Sequence, residues 1–179
     1  MSGNQMLNPQ AGMPFRDVPA VRSTRGFLAA MLAVVAVAAA SCAHVPRGFP
    51  ASAYVPSGWP TAPNAHTITS AFGNRSGRLH AGVDIAAPRK SQVVATACGR
   101  VTYTGRDRGG YGKHVIINHG NGYETLYAHL SRIKTKQGKR VKRGEVIGRV
   151  GKTGNASGAH LHYEVRRNGN PVDPRPFLP

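Results

Sequence analysis

The segment Gly158-Ala159-His160-Leu161-His162-Tyr163-Glu164-Val165-Arg166 places two histidines one residue apart inside an apolar, β-prone run. Successive side chains of a strand point to opposite faces, so residues two apart share a face at about 7 Å separation. His160 and His162 can therefore address a single site. Similar runs lie around this one, each short, apolar or β-branched and closed by glycine: Gln92 to Ala97, Arg100 to Thr104, the interior of His114 to Asn118, Glu124 to His129 and Glu145 to Val150. No stretch of helical length shows a 3.6-residue period. Short strands with Gly-rich turns predict an all-β domain over residues 67–179, a small sandwich or barrel. Gln92 to Val101 and Val141 to Gly148 share a pattern of apolar strand, Gly turn and second strand, which points to an internal duplication.

Upstream the composition changes twice. Pro46, Pro50, Pro56, Pro60 and Pro63, with Gly48 and Gly58, make residues 42–66 an extended linker, because proline fixes φ and removes a backbone donor. Tyr54 and Trp59 are the residues of this stretch able to dock on the domain, and His44 and His66 are given no role. Before it, residues 1–41 hold Arg16, Arg22 and Arg25, then the uncharged apolar run Gly26 to Ala40, then Ser41 and Cys42. That order predicts a secretory signal segment rather than a permanent span. Cys42 after Ala39-Ala40-Ser41 resembles the lipobox of bacterial lipoproteins, in which the thiol receives a lipid and becomes the mature N-terminus. The competing expectation is ordinary cleavage near Ala40, with the Cys42 thiol paired to Cys98.

Lys plus Arg number 24 against 7 Asp plus Glu, a formal net charge of +17 over 179 residues. Such a balance predicts a polyanionic partner: nucleic acid, anionic lipid or wall polymer. The cluster Lys134, Lys136, Lys139, Arg140, Lys142, Arg143 has no aromatic residue between its charges. It therefore does not read as a specific nucleic-acid platform, and a solvated face and a wall-polymer contact both account for it. Two cysteines build neither a disulfide scaffold nor a four-cysteine zinc site. No apolar run reaches the roughly 18 residues of a spanning helix.

The chemistry falls to the histidines and a few acids. His80 and Asp84 stand in Leu79-His80-Ala81-Gly82-Val83-Asp84-Ile85, and His129 ends Thr125-Leu126-Tyr127-Ala128-His129. Imidazole is the commonest zinc ligand, and a catalytic zinc takes three protein ligands and keeps a fourth position for water. One histidine of the 160/162 pair, with His80 and Asp84, completes such a set. His114 opens a strand, and His119 falls in the turn Asn118-His119-Gly120-Asn121-Gly122, where a structural role is expected. Cys98 reads as a small buried hydrophobe in a strand. Gly151-Lys152-Thr153 lacks the earlier glycine of a phosphate loop, that position being Val146, and a strand follows it. There is no His-Glu-x-x-His helix, and Ser157 stands one place too late for a nucleophile elbow.

Taken together, these segments resemble the lysostaphin/LytM-type zinc metallopeptidases, which cut peptidoglycan peptides. The likeness runs from about Thr67 to Leu178. It is carried by Ile68-Thr69-Ser70-Ala71-Phe72-Gly73-Asn74-Arg75, by His80-x-x-x-Asp84 with Ile85-Ala86-Ala87-Pro88, and by Tyr127-Ala128-His129-Leu130-Ser131. Gly144-Glu145-Val146-Ile147-Gly148, Gly151-Lys152-Thr153-Gly154, Gly158 to Glu164 and Asn168-Gly169-x-Pro171-Val172-Asp173-Pro174 complete it. The turn Lys90-Ser91-Gln92 departs from the family's usual Gly-Thr-Pro, far in sequence from the histidines.

The resemblance implies a mostly antiparallel fold built on a duplicated hybrid motif, with a groove over the metal. It implies zinc held by His80, Asp84 and His162, with His129 and His160 as unligated catalytic histidines. Asn118 and Glu164 are candidates for orienting them, or for serving the sheet alone. The implied substrate is a peptidoglycan peptide cross-link, D-alanyl to diaminopimelate or a glycine bridge. Ala43 replaces the Asp tied to inner-membrane retention, so the expected place is the outer membrane, as a lipoprotein facing the periplasm. Relatives without intact ligands act as non-catalytic activators of cell-division amidases. Every ligand and catalytic position is filled here, which favours an enzyme, with amidase or cell-division proteins as the alternative partners.

Overall fold

Runs rich in Val, Ile, Thr and Tyr become strands, and the glycines between them become turns. The computed structural model describes residues 54–61, 66–75 and 77–179. The signal segment, Cys42 and the first part of the linker lie outside the described residues. The strands are β1 (Thr67–Ser70), β2 (Gly73–Arg75), β3 (Arg78–His80), β4 (Val83–Ala86), β5 (Gln92–Val94), β6 (Gly99–Arg106) and β7 (Lys113–Gly120). They continue with β8 (Tyr123–Ala128), β9 (Leu130–Ile133), β10 (Arg140–Val141), β11 (Val146–Val150), β12 (His160–Arg167) and β13 (Asn170–Val172), and a 3-10 turn follows at Arg175–Phe177. The large sheet has the order β1-β4-β12-β8-β7-β6-β10, with β13 also paired to β12. A three-stranded sheet runs β5-β11-β9, and β2 and β3 form a hairpin. All of these pairings are antiparallel, so the all-β, antiparallel expectation holds.

The centre of the large sheet is covered on both faces. Along β8, Thr125 to Ala128 are all buried, and along β12, Leu161 to Val165 are. Val83, Ile85, Val115, Ile117, Leu161, Tyr163 and Val165 form one cluster, each side chain of this size stabilising the fold by about 1.5–3 kcal/mol on burial. The core also carries a polar chain. Tyr163 Oη, Thr96 Oγ1, Tyr127 Oη and Thr125 Oγ1 are joined at 2.9–3.0 Å, and His119 Nε2 meets Thr125 Oγ1 at 2.7 Å. The Nδ1–H of His119 donates to the Cys98 carbonyl at 2.9 Å, leaving Nε2 to accept. His119 is thus a structural residue of the core.

The two segments with a shared sequence pattern lie against each other. β5 pairs with β11 and β6 with β10, and between them Ala95 N–H donates to the Glu145 carbonyl and Gly144 N–H to the Ala95 carbonyl. These bonds draw the chain off β5 after Val94, which corrects the longer strand expected to Ala97. Cys98 consequently lies in the link before β6, half-buried, rather than packed within a strand.

Within the stretch read as linker, residues 54–61 lie along the domain. Ser57 N–H donates to the Thr96 carbonyl, Gly58 N–H to Phe177 and Val94 N–H to Pro60, while Thr61 bridges to Val93. Trp59 packs on the core, donates Nε1–H to the Pro179 carbonyl at 3.0 Å and stacks on His66. Prolines at 56 and 60 suit this edge position because it asks for few donors.

Candidate active site

Strand β12 organises the site, because its neighbours bring the other groups alongside by register. His162 lies opposite Asp84 of β4 on one side and Ala128 of β8 on the other. His129 follows Ala128 directly, and His80 ends β3. One ligand atom each from His80, Asp84 and His162 falls within 4.8 Å of the others. Asp84 Oδ1 stands 2.8 Å from His162 Nδ1 and 3.3 Å from His80 Nε2, and these two nitrogens are 3.1 Å apart.

The tautomers follow from what the outward nitrogens touch. His80 Nδ1 lies 2.8 Å from the Ala71 carbonyl and 2.6 Å from Arg75 Nη2; with the carbonyl as its acceptor, Nε2 is left free. Arg75 reaches the same carbonyl. His162 Nε2 lies 3.1 Å from Glu164 Oε1 and donates to it, which frees Nδ1. Two imidazole lone pairs and one carboxylate therefore converge, with both rings oriented by an acceptor behind them, as metal-bound histidines are. This donor set fits a single zinc ion.

The support behind His162 is itself built. Glu164 is fully buried, and its carboxylate accepts from Tyr111 Oη at 2.5 Å, from Arg166 Nε at 2.9 Å and from His162. Burial pushes Glu164 up, but His162, Tyr111 and Arg166 outweigh it and hold its pKa below the usual range. Burial and the adjacent Glu164 push the Tyr111 phenol to about 12, so it remains a donor. Burial likewise opposes ionisation of Asp84, yet the hydrogen bond and charge of His162, with His80 and His160, bring its pKa to about 2. The imidazole of His162 is depressed by burial and raised, on balance, by Asp84 and Glu164.

His129 and His160 face each other beside this trio, with ring centroids 4.7 Å apart. His129 Nδ1–H donates to the Thr153 carbonyl at 2.8 Å and His160 Nδ1–H to the Gly158 carbonyl at 3.0 Å. Each ring is left with a basic Nε2, and that of His160 is 3.7 Å from Asp84 Oδ1. His129 adopts a left-handed φ of 59°, a conformation that non-glycine residues hold only where surroundings enforce it. Burial, with the neighbouring imidazoles, lowers the pKa of His129 despite the Thr153 bond, so the ring is neutral near pH 7. All five residues line one groove of about 470 Å³, together with Tyr111.

The sequence-predicted residues are thus brought together, and Glu164 stands behind His162. Asn118 does not join them: it donates to Glu124 and caps the β7–β8 hairpin through Gly120 N–H. Its place in register with Arg100 and Glu124, away from β12, keeps it out of the site. His114 stacks on Tyr103 and bonds the Gly112 carbonyl. Tyr111 and Arg166 were not singled out by the sequence. Nothing local marks Tyr111, whose partner is 53 residues away, whereas Arg166, two residues beyond Glu164 on the same strand face, is a pairing that spacing could have found.

An antiparallel β domain whose groove gathers two histidines and an aspartate fit for a metal defines the lysostaphin/LytM class of peptidases. The chain belongs to peptidase family M23, whose family model matches residues 78–174. It is 54% identical over 113 residues to the DD-carboxypeptidase/endopeptidase Mpg of Neisseria meningitidis serogroup B, a match covering 60% of this chain and 26% of that one. It is also 37% identical over 121 residues to the murein hydrolase activator NlpD of Escherichia coli K12, covering 68% of this chain and 31% of the other. A zinc containing peptidase from Vibrio cholerae has the same fold, with a TM-score of 0.63 and 36% identity over 66% of this chain and 38% of that one. The chain thus spans about a quarter to a third of the length of these two curated relatives.

Proposed function

We propose that the protein is a zinc-dependent endopeptidase acting on the peptide cross-links of bacterial peptidoglycan. His80, Asp84 and His162 would hold the ion, which when bound polarises the scissile carbonyl and makes water a nucleophile at neutral pH. His129 and His160 are the groups that move protons. Each keeps its Nδ1 proton on a backbone carbonyl, so each has one nitrogen able to take a proton from attacking water or return it to the leaving amine. Once protonated, the same nitrogens stabilise negative charge developing on the carbonyl oxygen. Glu164 and Tyr111 keep the His162 ring in the tautomer and orientation that ligation needs.

The observation that carries this reading is the pair of free Nε2 atoms beside a convergent ligand trio. An activator of another hydrolase has no use for that arrangement. The likeness to a murein hydrolase activator nevertheless makes amidase activation the second reading. Changing His129 or His160 to Ala is expected to slow hydrolysis of cross-linked muropeptides by about 10² to 10⁴ with zinc content unchanged, whereas changing a ligand loses both. Zinc-loaded protein that leaves diaminopimelate and glycine cross-links intact yet stimulates an amidase would overturn it.

Export as an outer-membrane lipoprotein through Cys42 completes the proposal. A Cys42–Cys98 disulfide is the competing fate, because a Cys42 thiol bonded to Cys98 takes no lipid. Acyl labelling of the wild-type chain against Cys42→Ala separates the two, since label on the wild type alone supports the anchor.

A further inference from the structure

A second cleft of about 750 Å³ is lined by Arg106, Asp107, Arg108, Gly110, Gly154 and Asn155. Gly110 and Asn155 also line the groove over the ligand trio, so the two spaces lie side by side against the same two residues.

Two loops form this cleft and are stitched together. Asn155 N–H donates to the Gly110 carbonyl at 2.8 Å, and Lys113 N–H donates to Thr153 Oγ1 at 2.9 Å. Asp107 N–H donates to the Gly112 carbonyl at 3.1 Å, and Gly112 N–H returns to Asp107 Oδ1 at 2.9 Å. Thr153, in the same loop as Asn155, is the residue whose carbonyl holds His129. The wall of the cleft and a histidine of the site share one support.

The cleft is cationic. Arg106 and Arg108 are exposed and have no ion-pair partner among the described residues. Asp107 lies between them in sequence, but its Oδ1 is occupied by Gly112 N–H, and its Oδ2 lies on the Gly109 side of its own loop. The other acids of the groove are engaged as well, Asp84 by three imidazoles and Glu164 by His162, Tyr111 and Arg166. Two guanidinium groups against the one carboxylate of Asp107 leave the cleft net positive, and the planar donor geometry of a guanidinium matches a carboxylate.

We propose that the Arg106–Arg108 cleft is a substrate subsite that reads a carboxylate of the peptide strand lying in the groove. The inference rests on the peptidase reading above and adds to it a chemical criterion: the peptide must carry a free carboxylate at this cleft, and its amide is discriminated against. Peptidoglycan stem peptides carry such carboxylates along their length, in forms that are free or amidated.

The test uses the full-length, zinc-loaded chain and two matched cross-linked muropeptides, one with free carboxylates and one with the same groups amidated. The wild type is expected to show a KM about 10- to 100-fold lower for the free acid, the range of a charged hydrogen bond. In the double variant Arg106→Ala, Arg108→Ala the two peptides should converge, with zinc content and melting temperature unchanged. Equal KM values for the two peptides on the wild type, or an equal loss on both in the variant, overturns the subsite. If the wild type cuts neither peptide, the peptidase reading fails separately. Fluorescence anisotropy with the same peptides then decides the subsite: a tenfold preference for the free acid, lost in the variant, sustains it, and equal binding removes it.

Discussion

Glu164 is an ionised acid with no exposure to water, a state that survives only because Tyr111, Arg166 and His162 fill its lone pairs. Its service to the site is indirect, through the ring of His162. Glu164→Gln keeps the shape but removes the charge that orients the ring, and zinc affinity measured by competition with a chelator should fall about 10- to 100-fold. His119 makes a different prediction. Burial holds its pKa down to about 4, against 6.5 for a free imidazole, even though its bond to the Cys98 carbonyl acts the other way. Between those values the unfolded chain takes up a proton that the folded chain refuses, so stability is present above about pH 6.5 and is lost as pH falls toward 4. The full shift corresponds to about 3 kcal/mol. Metal-free protein unfolded in urea across this range should show that slope, and His119→Asn should lack most of it.

At the level of elements, the GKTG stretch that superficially matched a phosphate loop has a mechanical purpose. A Cβ on Gly151 would fall 2.2 Å from Ser131 N, and one on Gly154, at φ 74°, would fall 2.2 Å from the Gly110 carbonyl. The loop can therefore lie backbone against backbone on both the His129 turn and the 107–112 loop. Gly154→Ala should separate these loops and displace the Thr153 carbonyl from His129. Turnover should fall by at least tenfold while zinc content stays near that of the wild type, read by single-turnover assay and elemental analysis. This scale also shows what the sequence can and cannot reveal. Runs such as Lys113–Gly120 and His160–Arg167 are long and apolar enough to declare themselves strands. Strands of two to four residues, such as Arg78–His80 and Arg140–Val141, carry too few residues for a period to emerge. The trio was legible because Asp84 and His162 sit in ordered motifs, while the Tyr111 contact arises only when a Gly-rich loop folds over β12. Residues 54–61 read as linker because their prolines are prominent, yet their carbonyls and Trp59 find partners on the domain.

Over the whole molecule, the pairing of β4 with β12, which sets Asp84 against His162, has one more consequence, and it concerns the order of events in folding. His80 and His162 are 82 residues apart, and closing a loop of that size costs about 4 kcal/mol of chain entropy before any contact compensates. Such distant pairings form late in β proteins, after local hairpins such as β7–β8. The ligand trio does not exist until that seam has closed, so a zinc ion held there would enter a finished sheet and could not template it. Refolding followed by tryptophan fluorescence should proceed at the same rate with and without micromolar zinc, while unfolding slows as zinc is added, the pattern of an interaction absent from the transition state. A metal held there would then act as a latch, setting how long the domain stays folded without changing how fast it gets there.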